Sequence, residues 1–162
     1  GKTLVDESVP NKKSKEIQVK LPAAGQYPVR ISGRFRLQVP PNTPFAFKAS
    51  YDSSAWISYS GPHYFYVPKG TKRLLFDCGP RLSLIVPGQG RSDFSTSDRV
   101  EGQQYIALEV PEGTDGRVWH TMNQTRGRVE LINVPPYMSF YRNRIVLPED
   151  VARKDELKPG WK

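Results

Sequence analysis

The sequence predicts an all-β domain, an antiparallel β-sandwich of jelly-roll-like type with about 9–11 strands. Three observations lead there. Short runs alternate apolar and polar residues, the period of a strand with one buried face. Fifteen prolines and thirteen glycines fall between those runs, separating them at intervals of about ten residues. No stretch shows the longer period of an amphipathic helix. At 162 residues, 37% of them hydrophobic, the chain suffices for one domain with one core. Alternation, rather than continuous apolar runs, favours antiparallel sheets with one face in water.

Residues 1–15 lack periodicity and read as a flexible lead-in, with the sandwich over 16–148 and a C-terminal tail over 149–162. From Glu16 to Leu21, Ile17, Val19 and Leu21 share one face, which predicts the first strand. Tyr27, Val29 and Ile31 predict a second, and Phe35, Leu37 and Val39 a third. Phe45, Phe47 and Ala49 continue the pattern, and Trp56–Tyr59 forms a short strand or a loop. His63–Val67 is a dense aromatic strand, followed by strands over Arg73–Asp77 and Arg81–Val86. Pro87–Asp98, rich in glycine and serine, reads as a long exposed loop. Strands follow over Tyr105–Val110, Gly116–Met122 and Arg128–Val134, with a last short one over Arg144–Leu147. Glu149–Glu156, bounded by Pro148 and Pro159, has room for a helical turn.

The phrase VPxGT occurs twice, as Val67–Thr71 and Val110–Thr114. Its proline ends the strand, having no N–H to give the ladder. Its glycine allows the positive φ of a tight turn. The phrase is a hairpin device and carries no chemistry.

The net charge is +8, and the excess sits at the front of the chain. A solvated surface accounts for it. An anionic partner, acidic polysaccharide or nucleic acid, is the alternative, and nucleic acid is the less expected of the two. One cysteine, Cys78, precludes an internal disulfide and reads as a buried strand-end residue. No run reaches the roughly 20 apolar residues of a membrane helix, so no membrane partner is expected. Gly1 opens a polar stretch, and the chain reads as a piece of a longer protein.

The run Tyr64-Phe65-Tyr66-Val67-Pro68-Lys69-Gly70-Thr71-Lys72 resembles a strand and turn in accessory β-sandwich domains of bacterial polysaccharide-degrading enzymes. Val110–Trp119 and Leu131–Tyr137 are similar to segments of C-terminal domains that follow glycoside hydrolase-like catalytic domains. A more distant likeness is to pre-peptidase C-terminal domains and to jelly-roll carbohydrate-binding modules. The likeness covers roughly residues 60–150, and the matching residues are mostly structural. It implies a non-catalytic, carbohydrate-binding-module-like domain in a secreted, extracellular or periplasmic setting, attached to a parent catalytic domain in the same chain. The expected function is to target that enzyme to a polysaccharide through exposed aromatic residues. The alternative is a structural accessory domain that packs on the catalytic domain and has no ligand of its own.

Sugars are held by aromatic rings together with a few placed polar groups. Two clusters offer these. Trp56, Tyr51 and Tyr59 lie in a serine-rich, turn-like setting, where Trp56 is a candidate stacking ring. Trp119 and His120 precede Asn123, Gln124 and Arg126, whose side chains suit hydroxyls or a carboxylate. For Trp119 a core position is the alternative, which would turn His120 outward. Asp93, Asp98 and Asp115, with Glu112, are candidate ligands for a structural calcium ion, although no EF-hand-like run is present. Two histidines and one cysteine at wide spacing do not make a zinc site. The nucleophile, zinc-protease and phosphate-loop motifs are absent from the sequence, and no enzyme activity is expected.

Overall fold

The structure, a computed structural model, describes residues 4–23, 25, 27–31, 38–40, 43–50, 55–57, 61–122 and 127–158. The chain divides into two compact units, Gly1–Gln38 and Val39–Lys162.

In the first unit the described residues form no strand or helix, so the strands expected over 16–21 and 27–31 are not present. Ile17, Val19, Leu21 and Val29 are exposed. Alternation makes a strand only where another strand pairs its backbone and a core takes its apolar face, and these side chains have neither. The strand expected around Phe35 and Leu37 lies outside the described residues, save for its end.

The second unit holds the sheets. Its elements are β1 (Phe47–Lys48), β2 (Ala55–Ile57), β3 (Tyr64–Val67), β4 (Arg73–Cys78), β5 (Leu82–Val86) and β6 (Gly90–Phe94), then a 3-10 turn (Thr96–Asp98). There follow β7 (Ile106–Glu109), β8 (Arg117–Thr121), β9 (Gly127–Leu131), β10 (Tyr137–Met138) and the short helix α1 (Glu149–Lys154). Every strand pair is antiparallel, and the fold is all-β.

Strand β2 pairs with β9, β3 with β8, β4 with β7 and β5 with β6. These pairings are nested, as if one long hairpin had been rolled up. The further pairs β4–β9 and β5–β8 complete two four-stranded sheets, ordered β2-β9-β4-β7 and β3-β8-β5-β6. The sheets contribute to one core. Leu74, Phe76, Ile106, Val129 and Leu131 come from the first, and Phe65, Val67, Leu82, Leu84 and Trp119 from the second. The ribbon β1–β10 ties into both sheets. Ala49 O accepts from Leu131 N at 2.8 Å, and Tyr64 and Ser139 exchange two backbone bonds.

Both VPxGT phrases fold alike. Gly70 and Gly113 take positive φ, 80° and 73°. Thr71 and Thr114 each donate from the backbone and from the hydroxyl to the carbonyl of the proline three residues earlier.

The loop expected over Pro87–Asp98 is instead β6 and the 3-10 turn. As an edge strand, β6 pairs only with β5, so it needs little apolar character. Phe94 alone packs against the core, edge-on to Phe76 at 5.2 Å. The strand expected over Arg144–Leu147 is absent, and β10 forms earlier, at Tyr137–Met138. Cys78 ends β4, and burial pushes its thiol pKa up to about 11.

Candidate functional site

Residues directly opposite in a ladder share a face of the sheet. In β3-β8-β5-β6, Phe65 opposes Trp119 on the core side, while Tyr64 opposes His120 on the outer side. His120 in turn opposes Ile85, and Ile85 opposes Arg91. Tyr64, His120, Ile85 and Arg91 therefore form one row across all four strands on the outer face. At about 4.8 Å per strand the row is about 14 Å long. Tyr64, His120 and Ile85 are half-buried, and Arg91 is exposed.

The Tyr64 and His120 rings lie 5.1 Å apart with planes at 36°. Partial burial, and then the nearby Arg142 guanidinium, lower the His120 pKa. One step along the strands, Asp93 accepts from the Ser83 hydroxyl and from Arg91 Nε at 2.8 Å. Arg91, and then Ser83, hold the Asp93 carboxyl below its usual range. Beyond the Tyr64–Ser139 bridge, Phe140 and Tyr141 are exposed, and the Arg144 guanidinium sits 4.7 Å from the centre of the Tyr141 ring. Phe140 covers His63, at 5.1 Å between ring centres, and Phe47 meets His63 edge-on at 5.5 Å. His63 is buried, its Nδ1 lies 3.2 Å from Thr121 Oγ1, and burial lowers its pKa to about 4.

The other end of the same face is covered. Tyr66, two residues after Tyr64 on β3, is 3% exposed, and its hydroxyl donates to Asp155 Oδ2 at 2.8 Å. Lys69 N donates to the same oxygen at 2.8 Å. Burial, and then Asp155, push the Tyr66 pKa upward. Asp155 follows α1 directly, so the helix end is fastened to the first VPxGT turn. An open cleft of about 730 Å³ lies between that turn, Ile132–Pro135 and α1.

Among the residues expected to meet a ligand, Trp119 is excluded from that role. It is fully buried beside Phe65, and its indole N–H donates to Thr114 O at 2.8 Å. The core alternative holds for it, because its strand position faces the other sheet. His120, its neighbour, turns outward as strand alternation requires. Trp56 belongs to β2, in register with Arg128 in the opposite sheet, so its backbone is not part of the row containing His120. Tyr51, Tyr59, Asn123, Gln124 and Arg126 lie outside the described residues, as does the side chain of Trp56.

The expected metal ligands have separate occupations. Asp93 takes Ser83 and Arg91, Asp98 caps its own 3-10 turn by accepting from Ser95 N, and Asp115 accepts from Gly70 N at 2.7 Å. Among the described residues no three His, Cys, Asp or Glu side chains gather as a metal site. Sequence reading missed Tyr64, Ile85 and Arg91 as neighbours of His120. Its signal was limited to the alternation within His63–Val67, because cross-strand register is invisible in one strand.

The second unit is thus an antiparallel all-β protein, with one sheet's outer face part covered by the helix α1 and part half-exposed and aromatic. No protein-family model matches the chain, and neither a curated protein nor a solved structure matches it. Among the described residues no helix is long and apolar enough to cross a membrane.

Proposed function

We propose that this chain is a non-catalytic polysaccharide-binding module of a secreted or periplasmic polysaccharide-degrading enzyme, using the outer face of β3-β8-β5-β6. The observation that carries the reading is the row Tyr64–His120–Ile85–Arg91, half-exposed in the middle of a sheet. A tyrosine ring and an aliphatic side chain suit the apolar face of a sugar. The imidazole, and the exposed Asp93 and Arg91 beside it, supply acceptors and donors for hydroxyls. The resemblance of Tyr64–Lys72 and Val110–Trp119 to accessory domains of such enzymes agrees with it.

Affinity electrophoresis on a panel of neutral and acidic polysaccharides tests this. The native chain is expected to be retarded on at least one, and the double variant Tyr64→Ala/His120→Ala to run unretarded. No retardation of the native chain on any gel contradicts the reading.

A second reading is favoured by the burial of Trp119. It makes the chain a structural accessory domain that packs on a glycoside hydrolase catalytic domain and has no ligand of its own. It expects no retardation anywhere.

A further inference from the structure

Resting on that reading, we infer that the polysaccharide taken by this face is acidic, a chain bearing carboxylate groups such as a uronate polymer. The charges at the open end are unequal. Arg81 directly precedes β5 at the parity of Ser83 and Ile85, on the side of the Arg91–Asp93 pair, and both Arg91 and Arg81 act on that carboxylate. Arg81 and Arg142 are exposed, and neither has an ion-pair partner among the described residues. Arg91 gives Asp93 only its Nε, which leaves its Nη groups in a geometry suited to two oxygens of a carboxylate. Burial first, and then Arg142, lower the His120 pKa, so this guanidinium lies near enough to act on the Tyr64–His120 pair.

A sugar acid fits this better than a nucleic acid does. Double-stranded DNA carries a charge every 1.7 Å or so of its axis, a single strand one every 3.4 Å or so, and the backbone of either offers acceptors only. The exposed guanidiniums of Arg81 and Arg142 suit carboxylates, and Asp93 accepts from sugar hydroxyls, which a DNA backbone lacks.

The test is affinity electrophoresis of the whole chain at one low ionic strength, in gels holding polygalacturonate, a neutral xylan or single-stranded DNA. Retardation on polygalacturonate at least about tenfold stronger than on xylan is expected. Arg142→Gln and Arg81→Gln should each weaken it severalfold, while Arg73→Gln, an equal change of net charge on the other sheet's outer face, should leave it unaltered. Equal weakening by Arg73→Gln would mean net charge alone acts and overturns the inference. So would retardation on xylan alone, which leaves the polysaccharide reading standing, or stronger retardation on DNA. No retardation on either polysaccharide also overturns the inference, while the full panel decides whether the polysaccharide reading stands.

Discussion

The two sheets share a core but differ on their outer faces. On β2-β9-β4-β7 the outward positions pair Leu75 with Ala107, and the other described ones are charged and mutually neutralised. Arg73 pairs with Glu109, Arg99 with Asp77 through Nε at 2.9 Å and Nη2 at 2.7 Å, and Arg128 with Glu130. On β3-β8-β5-β6 they are Tyr64, Tyr66, His120, Ile85 and Ser83, with guanidiniums at the margin. A neutralised charged face is well served by water and has little to gain from a ligand. An aromatic face either needs a cover or serves as a contact surface. The second sheet does one at each end: α1 and Asp155 cover Tyr66, and nothing among the described residues of Val39–Lys162 covers the Tyr64–His120 row to the same degree.

The largest expected effect lies at the covered end. Asp155→Ala removes the acceptor of both the Tyr66 hydroxyl and Lys69 N. Charged acceptors of this kind contribute about 1.5–3 kcal/mol each, so a loss of about 3 kcal/mol is expected in urea denaturation, with ligand binding retained if protein remains folded. If α1 were merely resting on the sheet, the loss would be small.

Next comes His63, behind Phe140 at the rim of the open end. Its folded pKa of about 4 lies below the ordinary 6.5, so the unfolded chain takes up a proton that the folded chain refuses. The corresponding stability is complete above pH 6.5 and falls as pH drops toward 4, by up to about 3 kcal/mol. Thermal melts across that range should show this decline, and His63→Gln should flatten it relative to the native chain.

The legibility of the molecule follows from the same physics. β4, β7 and β8 were readable because alternation follows burial on one face, and β3 and β5 because they are short runs rich in aromatic or aliphatic residues, buried on both faces at Tyr66 and Ser83. Alternation misled at Ile17–Leu21, where the apolar side chains are exposed. It was silent at β6, whose edge position asks only Phe94 to face inward. The two VPxGT turns were legible to the residue, since proline and glycine act through local backbone geometry. The candidate site was legible only at His120. Tyr64, Ile85 and Arg91 are 56, 35 and 29 residues from it in sequence, and register alone joins them.

Smaller effects separate the two faces. Tyr64→Ala/His120→Ala should weaken polysaccharide binding at least about tenfold, or about 1.4 kcal/mol, while changing stability by less than about 1 kcal/mol. A loss of stability without loss of binding would make the row structural. The smallest effect is expected from Arg73→Gln. Exposed ion pairs contribute about 0–1 kcal/mol, so urea midpoints should barely move.

Mapping the ligand on the isotope-labelled chain by NMR tests the central claim most directly. On titration with an oligogalacturonate, the backbone amides of Tyr64, Ile85, Arg91 and His120 should shift together and saturably. Shifts gathered instead at Arg73, Asp77, Glu109 and Glu130, or none at saturating sugar, would contradict the assignment of binding to the aromatic face.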